Sequence, residues 1–153
     1  MFSYTPLSSV PLVLLSQLLN HPDIKRHMPL AGSMSEAECR SWAEAKDHQW
    51  QENGYGPWAI YNDGQFVGWG GFQKEGDDVD LGLVLRPDAW GLGPMVVRDL
   101  IAKGWSDFGF ASITVLLPPS RVHLRPLARL GFVPDGELEY EGEKFRRFRL
   151  HRP

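Results

Sequence analysis

Residues Val79–Phe108 read VDLGLVLRPDAWGLGPMVVRDLIAKGWSDF, and this stretch decides the predicted fold. Its first seven residues, VDLGLVL, are rich in apolar and β-branched side chains and predict a strand that closes at Arg86-Pro87. Trp90-Gly91-Leu92-Gly93 predicts a turn, and a helix opens at Pro94, whose missing N–H would have no intrahelical partner there. The apolar spacing then predicts one buried helix face, formed by Val97, Leu100, Ile101, Trp105 and Phe108.

A strand that runs through such a turn into a helix directs backbone N–H groups and the positive end of the helix dipole towards one point. That arrangement binds anions, typically phosphates. The alternative interpretation is that Gly91 and Gly93 only form a tight turn. The third glycine of the dinucleotide-binding fingerprint is absent, and so is the phosphate loop with Gly-Lys-Ser/Thr, which excludes both of those nucleotide sites.

Length and composition predict one globular domain, residues 1–153, that is large enough to bury a core. Cys39 is the only cysteine, so a disulfide framework is excluded and no metal site is expected. The apolar run at residues 10–19 is too short to cross a bilayer, and nothing around it is typical of a secretion signal. We therefore expect a cytoplasmic protein with no membrane partner.

The charge is unevenly distributed along the chain. The first 80 residues contain 5 Lys/Arg and 11 Asp/Glu, whereas the remaining residues contain 11 and 8. Net acidity argues against a nucleic-acid partner. The basic second part is compatible with a polyanionic cofactor and the acidic first part with a cationic substrate such as an amine, although ordinary solvated surface charge explains both.

Before the central unit, the sequence predicts a strand and several helices. Phe2–Tyr4 predicts the strand, and Ser8 or Ser9 predicts the N-cap of a helix that ends near Asn20. Residues 22–27 predict a short helical turn.

A longer helix follows. Ser35 and Glu38 have the spacing of a capping box that opens a helix to about Glu52, and Asn53-Gly54 predicts its left-handed end. One face of this helix holds the largely apolar set Cys39, Trp42, Ala43 and Trp50.

The flanking segments predict a sheet around the central strand. Residues 58–61 and 65–73 predict a hairpin before it, and residues 111–117 a buried strand after it. A short helix is predicted from Pro118 to Leu130, followed by closing strands at residues 132–133, 137–140 and 145–150. The expected fold class is α/β, with a mixed, mostly antiparallel central sheet and helices on both faces.

The chain resembles the GNAT superfamily of acyl-CoA-dependent N-acyltransferases, in the branch related to the enzymes that acetylate ribosomal-protein N-termini. The resemblance is carried in order by His21-Pro22-Asp23-Ile24 with Met28-Pro29, the helix from Ser35, Trp58-Ala59-Ile60, Val67-Gly68, Leu81–Met95 and Leu130-Gly131-Phe132. It implies transfer of an acetyl group from acetyl-CoA to a primary amine, either a peptide N-terminus or a small molecule. Dimers are frequent in this family, so a homodimer is a further expectation.

The resemblance also implies a cofactor site. Backbone groups of the central strand would bind the pantetheine arm, and the following turn would hold the pyrophosphate; the implied residues are Leu83, Val84, Leu85, Arg86, Trp90, Gly91, Leu92, Gly93, Pro94, Met95 and Val96. Two of these depart from the family pattern, because Met95 is bulkier than the usual residue and Pro94 lacks an N–H. We expect cofactor binding to be kept in altered form, with Arg121 and Arg125 as further candidates near the phosphates.

For catalysis the resemblance implies Asp80 as general base, acting through water, and Ser120 or His123 as the group that protonates or orients the leaving thiolate. Leu127 stands where relatives often have a tyrosine that acts as the acid. Each candidate has a structural alternative: a strand-edge charge for Asp80, a helix N-cap for Ser120 and a surface side chain for His123.

A second function class stays open. The substituted cofactor motif and the missing tyrosine favour a non-catalytic acyl-CoA-binding or protein-interaction module on the same fold. The aromatic residues Trp42, Trp50, Trp58, Tyr61, Trp69 and Phe72 are predicted to be mostly core, with one or two lining an acceptor pocket where they could contact an amine.

Overall fold

The structure of the chain is a computed structural model that describes residues 1–25, 33–121 and 123–153. The described residues form one seven-stranded sheet with helices. The strands are β1 (Phe2–Thr5), β2 (Pro57–Asn62), β3 (Gln65–Glu75), β4 (Asp78–Leu85), β5 (Ser112–Leu117), β6 (Val133–Tyr140) and β7 (Glu143–His151). The helices are α1 (Leu12–Leu19), α2 (Pro22–Lys25), α3 (Glu36–Asn53), α4 (Gly93–Ser106) and α5 (Arg125–Leu130), with short 3-10 helices at Leu7–Ser9 and Pro87–Leu92.

The strand order is β1-β2-β3-β4-β5-β7-β6, and every neighbouring pair is antiparallel except β4–β5, which is parallel. The predicted mixed, mostly antiparallel sheet is therefore confirmed. None of the helices in the described ranges is long and apolar enough to span a membrane.

Two hydrophobic clusters cover the two faces of the sheet. Neighbouring residues of β2 point to opposite faces, as the pleat requires, so Ala59 packs with α1 and α3 while Ile60 packs with α4. The cluster on the α4 face, which contains Ile60, is formed by α4 side chains such as Leu100 together with Phe72 of β3. The helices therefore lie on both faces, as predicted.

The first helix starts later than predicted. Ser8 and Ser9 belong to the 3-10 helix, and α1 begins at Leu12 with Pro11 as its N-cap. The cause is a contact from α3, because the Asp47 carboxylate accepts hydrogen bonds from the backbone N–H groups of Leu7 (2.8 Å) and Ser8 (3.0 Å). The predicted helical turn at residues 22–27 is described only as α2, and the rest of it, with Met28-Pro29, lies outside the described residues.

The capping box predicted for α3 is confirmed. Ser35 Oγ accepts from the Glu38 N–H at 3.1 Å, and Glu38 Oε1 accepts from the Ser35 N–H at 3.0 Å. Gly54 ends the helix in the left-handed region with φ of 78°. A cap of this kind stabilises a helix by about 1 kcal/mol.

The turn before α4 is more regular than predicted. It forms the 3-10 helix Pro87–Leu92 and runs directly into α4, which begins at Gly93 rather than Pro94. The predicted buried face of α4 is confirmed, with Leu100 and Ile101 buried and Val97, Trp105 and Phe108 packed against the same core. The face is wider than predicted, because Val96 and Gly104 are buried as well. Gly104 belongs there because a Cβ at this position would lie only 2.9 Å from Ile113 Cδ1.

The helix predicted from Pro118 to Leu130 is wrong in its first part. Residues 118–121 form a turn in which the Arg121 N–H donates to Pro118 O at 3.0 Å, and α5 begins only at Arg125. Ser120 is therefore not a helix N-cap, which removes the structural alternative considered for it. After Gly131 ends α5 in the left-handed region, β6 and β7 pair over longer ranges than predicted.

Candidate active site

The parallel strands β4 and β5 separate soon after they meet. Within the described residues their ladder has a single register pair, Asp80 with Thr114. Beyond it, β4 continues to pair with β3 as far as Leu85 with Gly68, and β5 pairs with β7 as far as Leu117 with Arg146. The edge of β4 that faces β5 is therefore left without a ladder partner there, and its backbone groups can bind another molecule.

An ion-pair network holds the strands together at the opposite end. The Arg149 guanidinium donates to Asp78 Oδ1 (2.9 Å), Ser112 Oγ (2.8 Å) and Asp135 Oδ2 (2.8 Å). It thus joins β7 to the first residues of β4 and β5 and to β6. With Arg149 beside it, the pKa of the Asp135 carboxyl lies below its usual range. Arg149 thus bridges β4 and β5 at their amino ends, and beyond the single ladder pair the two strands lead into the predicted cofactor turn and the segment of Ser120.

The close approach of β3 to β4 depends on a glycine. A Cβ at Gly68 would lie 2.1 Å from Val84 O and 2.8 Å from Leu85 Cα, so no larger residue fits without moving one strand. The unpaired edge of β4 at Val84 therefore faces β5, because the other edge is held tightly against β3.

The start of α4 offers fewer free donors than predicted. The Gly93 N–H donates to Trp90 O, and Pro94 has no N–H. The first N–H groups of a helix have no carbonyl acceptor within the helix, so in the first turn of α4 the Met95 N–H is the donor that stays available. No atom of the described residues lies within 4 Å of a Cβ placed at Gly91 or Gly93, so these residues leave the space in front of the helix open.

Open space, a helix N-terminus and an unpaired strand edge fit the phosphates and pantetheine arm of acetyl-CoA. Trp90 and Met95 flank that space and are 49% and 52% exposed. Two groups are already engaged within the chain, however. Leu85 O accepts a hydrogen bond from Trp90 Nε1 at 2.9 Å, and the Val96 side chain is fully buried in the core. Val96 is the fourth residue of α4, so by the geometry of a helix its N–H already has an intrahelical acceptor, and the structure does not favour a cofactor contact from it.

The Arg86 side chain is also engaged. Its guanidinium bonds both carboxylate oxygens of Asp88, at 3.1 and 2.8 Å, and donates to Phe66 O at 3.0 Å. These hydrogen bonds hold the pKa of Asp88 below its usual range. A phosphate contact from Arg86 would have to compete with Asp88, so the structure favours a role for its backbone over its guanidinium.

Asp80 lies at the point where β4 and β5 separate. Burial raises the pKa of its carboxyl to about 7, with Glu75 and Asp78 adding smaller effects in the same direction, while the hydroxyl of Thr114 acts to lower it. Thr114 Oγ1 lies 3.1 Å from Asp80 Oδ1 and 3.3 Å from Val79 O. A carboxyl with this pKa can both accept and release a proton near neutral pH.

Ser120 and His123 lie on the segment that follows β5, and both side chains are exposed. Among the described side chains, neither makes a hydrogen bond to Asp80. The segment that holds them begins at the carboxyl end of β5, at the same edge of the sheet as the carboxyl end of β4. Their predicted roles therefore stay predictions.

Two residues of this region do not stand out in the sequence. Thr114 is predicted only as part of a strand, although its hydroxyl contacts Asp80. Lys46 of α3 is not among the predicted site residues, although it lies four residues from both Trp42 and Trp50 on the predicted buried face of the helix. A lysine in the middle of an apolar helix stripe was the available signal. Among the described residues there is no cluster of three His, Cys, Asp or Glu side chains that could hold a metal ion.

Several solved structures share the fold. An aminoglycoside acetyltransferase in complex with coenzyme A superposes with a TM-score of 0.77 at 15% identity, covering 99% of this chain and 94% of its own. Spermidine N-acetyltransferase from Vibrio cholerae, in complex with coenzyme A and spermine, gives 0.75 at 12% identity, with coverage of 98% and 95%. A proposed ribosomal-protein-serine acetyltransferase from Vibrio cholerae gives 0.74 at 13% identity, with coverage of 99% and 94%.

No curated protein matches the sequence significantly. The family model described as the acetyltransferase (GNAT) domain matches residues 6–132, which is well over half of the chain. The chain therefore belongs to the GNAT acetyltransferase family, which confirms the predicted enzyme class, an N-acetyltransferase.

Proposed function

We propose that this protein transfers the acetyl group of acetyl-CoA to a primary amine, and that the reaction takes place where β4 separates from β5. The observation that carries the proposal is the single register pair of Asp80 with Thr114, which leaves an unpaired strand edge beside a carboxyl of near-neutral pKa. Family membership supports the same reaction class.

The chain's own groups would bind the cofactor along β4 and the following turn. Backbone groups of Leu83 and Val84 would bond the pantetheine arm, and the Met95 N–H with the dipole of α4 would face the pyrophosphate. Acetyl-CoA supplies the acyl group as a thioester, which is activated towards amines. Engagement of the Gly93 N–H and the absence of one at Pro94 predict weaker phosphate binding than a full turn of donors would give.

Asp80 would accept the proton that the amine must lose. An amine is mostly an ammonium ion near neutral pH, so it must be deprotonated before its nitrogen can attack the thioester carbonyl. The C–N bond then forms, the C–S bond breaks, and the leaving thiolate takes a proton from Ser120, His123 or water. Thr114 would hold the Asp80 carboxylate in place and limit the rise in its pKa.

The acceptor class follows from charge and from the relatives. Asp80 lies with Glu75 and Asp78 in the acidic part of the chain, which suits an ammonium group. One relative is named for spermidine and was solved with spermine, and another is named for aminoglycosides, so amines recur among proteins of this fold. A peptide N-terminus and a small-molecule amine both remain candidates, as do the predicted homodimer and the predicted cytoplasmic location.

The test is release of the coenzyme A thiol from acetyl-CoA in the presence of a panel of primary amines. Wild-type turnover should depend on the amine, and Asp80→Asn should lower kcat/KM by about 10²–10⁴-fold, the usual contribution of a general base. Asp77→Asn is the matched control, because Asp77 is an exposed carboxylate in the turn before β4.

Acetyl-CoA binding without turnover of any amine would favour the alternative, a non-catalytic acyl-CoA-binding module. Equal activity of Asp80→Asn and wild type would remove Asp80 from the mechanism while leaving the reaction in place.

A further inference from the structure

We propose that the amine acceptor also carries a carboxylate, and that Lys46 and Trp69 bind this carboxylate on the face of the sheet covered by α3. The inference rests on the proposed function, because it names the acceptor class for the same site. It is argued from a polar cluster between α3 and β3 that consists of Lys46, Gln49, Trp69 and Gln73.

The cluster lies on the same face of the sheet as Asp80. Gln73 is the register partner of Asp80, and directly paired residues of antiparallel strands point to the same face. Trp69 pairs in the same way with Val84, four residues away on each strand, so this pair also points to the same face. Gly82 lies between these two pairs and has no side chain to fill the space above the strand. Among the described residues, only Gln73 Nε2 lies within 4 Å of a Cβ placed there.

Lys46 is a half-buried cation that has no anionic partner among the residues that the structure describes. Its Nζ donates to Gln73 Oε1 at 2.7 Å, the oxygen that also accepts from Gln49 Nε2 at 3.1 Å. No carboxylate of the described chain lies within ion-pair distance of it. Burial lowers the pKa of Lys46, as expected for an ammonium group held away from water and from negative charge.

Two further polar atoms in the cluster have no partner among the described residues. Trp69 is only 6% exposed, and within the described part of the chain its buried Nε1 donor makes no hydrogen bond, nor does the buried Gln49 Oε1 acceptor. A buried donor left unpaired costs about 1–3 kcal/mol, so such groups usually have a ligand or an ordered water as partner. The Lys46 ammonium lies 5.2 Å from the Trp69 ring centroid, so the unpaired indole donor and the cation belong to one small region.

The available donors suit a carboxylate. The Lys46 ammonium has three N–H groups and uses one of them on Gln73, and the Trp69 indole adds another. Two donors of this kind, one of them charged, can satisfy the two oxygens of a carboxylate. The carboxylate would in turn neutralise the half-buried cation, which no residue of the described chain does.

The same cluster disfavours a polycation. The aromatic faces that could hold an amine by a cation–π contact, those of Trp42 and Trp69, are already occupied by Lys46, at 5.6 and 5.2 Å from the ring centroids. A second positive charge beside Lys46 would be repelled in this half-buried position. The acceptor would therefore place its amine at Asp80 and its carboxylate at Lys46.

This arrangement sets the length of the acceptor. Paired residues on neighbouring strands have Cβ atoms about 5 Å apart, and the Lys46 ammonium lies one hydrogen bond beyond the side chain of Gln73, the partner of Asp80, so more than one strand spacing separates the two charges. That span corresponds to an ω-amino acid with a few methylene groups between amine and carboxylate. An α-amino acid would be too short.

The first experiment is binding alone. The protein, with its indole groups labelled with ¹⁵N, is titrated at constant ionic strength with 4-aminobutyrate and, separately, with 4-aminobutyramide, following the resonance assigned to Trp69 through Trp69→Phe. The proposal predicts a saturable shift of the Trp69 resonance with the acid and none with the amide. No shift with the acid, or equal shifts with both, would overturn it.

The second experiment is kinetic. The ratio of kcat/KM for each ω-amino acid to that for its amide is measured along the series from glycine to 6-aminohexanoate. Wild type should prefer the acid by at least about 10-fold at the best length, and Lys46→Met should abolish the preference. Lys103→Met is the matched control, because Lys103 is also half-buried over an aromatic ring, that of Tyr4, but lies on α4, on the other face.

The two experiments separate the two proposals. A Trp69 shift without acetylation of any amine would support the carboxylate site and reject the acetyl transfer. Acetylation with equal kcat/KM for acid and amide, or faster acetylation of spermine than of any amino acid, would support the transfer and reject the carboxylate site.

Discussion

Asp80 and Thr114 are joined in two ways. They form the register pair at which β4 and β5 meet, and the Thr114 hydroxyl donates to the Asp80 carboxyl at 3.1 Å. Thr114 is only 1% exposed, so this hydrogen bond lies away from water. The contact that ends the parallel ladder thus also tunes the proton affinity of the proposed base.

The first prediction concerns Thr114→Val, which keeps the shape of the side chain and removes its hydroxyl. The hydroxyl lowers the pKa of Asp80 from the value that burial alone would produce. Its removal should raise this pKa, so the limb of the pH–kcat/KM profile near pH 7 should move to higher pH. Thr114→Ser retains the hydroxyl and should leave the limb in place. An unshifted limb in Thr114→Val would show that Asp80 does not control the profile.

The second prediction is the pH dependence of stability. The pKa of Asp80 is about 7 in the folded chain and near 3.8 when unperturbed, so between these values the folded state holds a proton that the unfolded state has lost. The free energy of unfolding contributed by this group therefore falls as pH rises from about 4 to 7. The expected loss is on the order of 2 kcal/mol, less than the roughly 4 kcal/mol of the full shift, because water reaches part of the side chain.

Asp80→Asn has no such proton and should not show this loss. Urea unfolding of wild type, Asp80→Asn and the control Asp77→Asn at pH 5 and pH 8 measures the difference. If the free energy of unfolding changed between pH 5 and pH 8 by the same amount in wild type and in Asp80→Asn, the raised pKa would be contradicted.

The third prediction concerns the spacing of β3 and β4. A Cβ at Gly68 would lie 2.1 Å from Val84 O, so Gly68→Ala should force the strands apart and destabilise the fold by several kcal/mol. Gly82→Ala is the contrast on the facing strand, because its nearest contact would be Gln73 Nε2 at 3.9 Å. It should keep the stability of wild type within about 1 kcal/mol. Thermal or urea unfolding of both variants is the measurement, and equal stabilities would refute the close approach.

The fourth prediction concerns Pro94. Replacing it with alanine adds an N–H to the first turn of α4, where the phosphates are expected, and should tighten acetyl-CoA binding by a few-fold, corresponding to about 1 kcal/mol. Pro126→Ala is the matched control, since Pro126 is likewise the second residue of its helix, α5, and exposed. Calorimetric titration of both variants checks this, and an unchanged dissociation constant for Pro94→Ala would place the phosphates elsewhere.

The predictions from sequence were strongest where local chemistry alone decides the structure. The Ser35–Glu38 capping box and the left-handed Gly54 depend on adjacent residues, and both were correctly placed. The start of α1 was misplaced because Asp47, far along the chain, holds the Ser8 backbone. No local pattern contains that contact.

The site was predictable in outline and not in its partners. The resemblance pointed to Asp80, but its carboxyl acquires its pKa from burial and from Thr114 on another strand. Lys46 shows the same limit, because its half-buried position between Trp42 and Trp69 depends on the packing of α3 on β3. Long-range packing, rather than propensity, decided both.

The most direct test of the proposed acetyl-CoA site is calorimetric titration of acetyl-CoA into wild type and Gly93→Glu. A Cβ at Gly93 meets no atom of the described chain within 4 Å, so glutamate should be accommodated without a change in the fold while placing a negative charge where the pyrophosphate is expected. We expect a micromolar dissociation constant for wild type, about −8 kcal/mol, and no measurable binding to the variant. No binding to wild type at millimolar acetyl-CoA, or equal binding to both proteins, would contradict it.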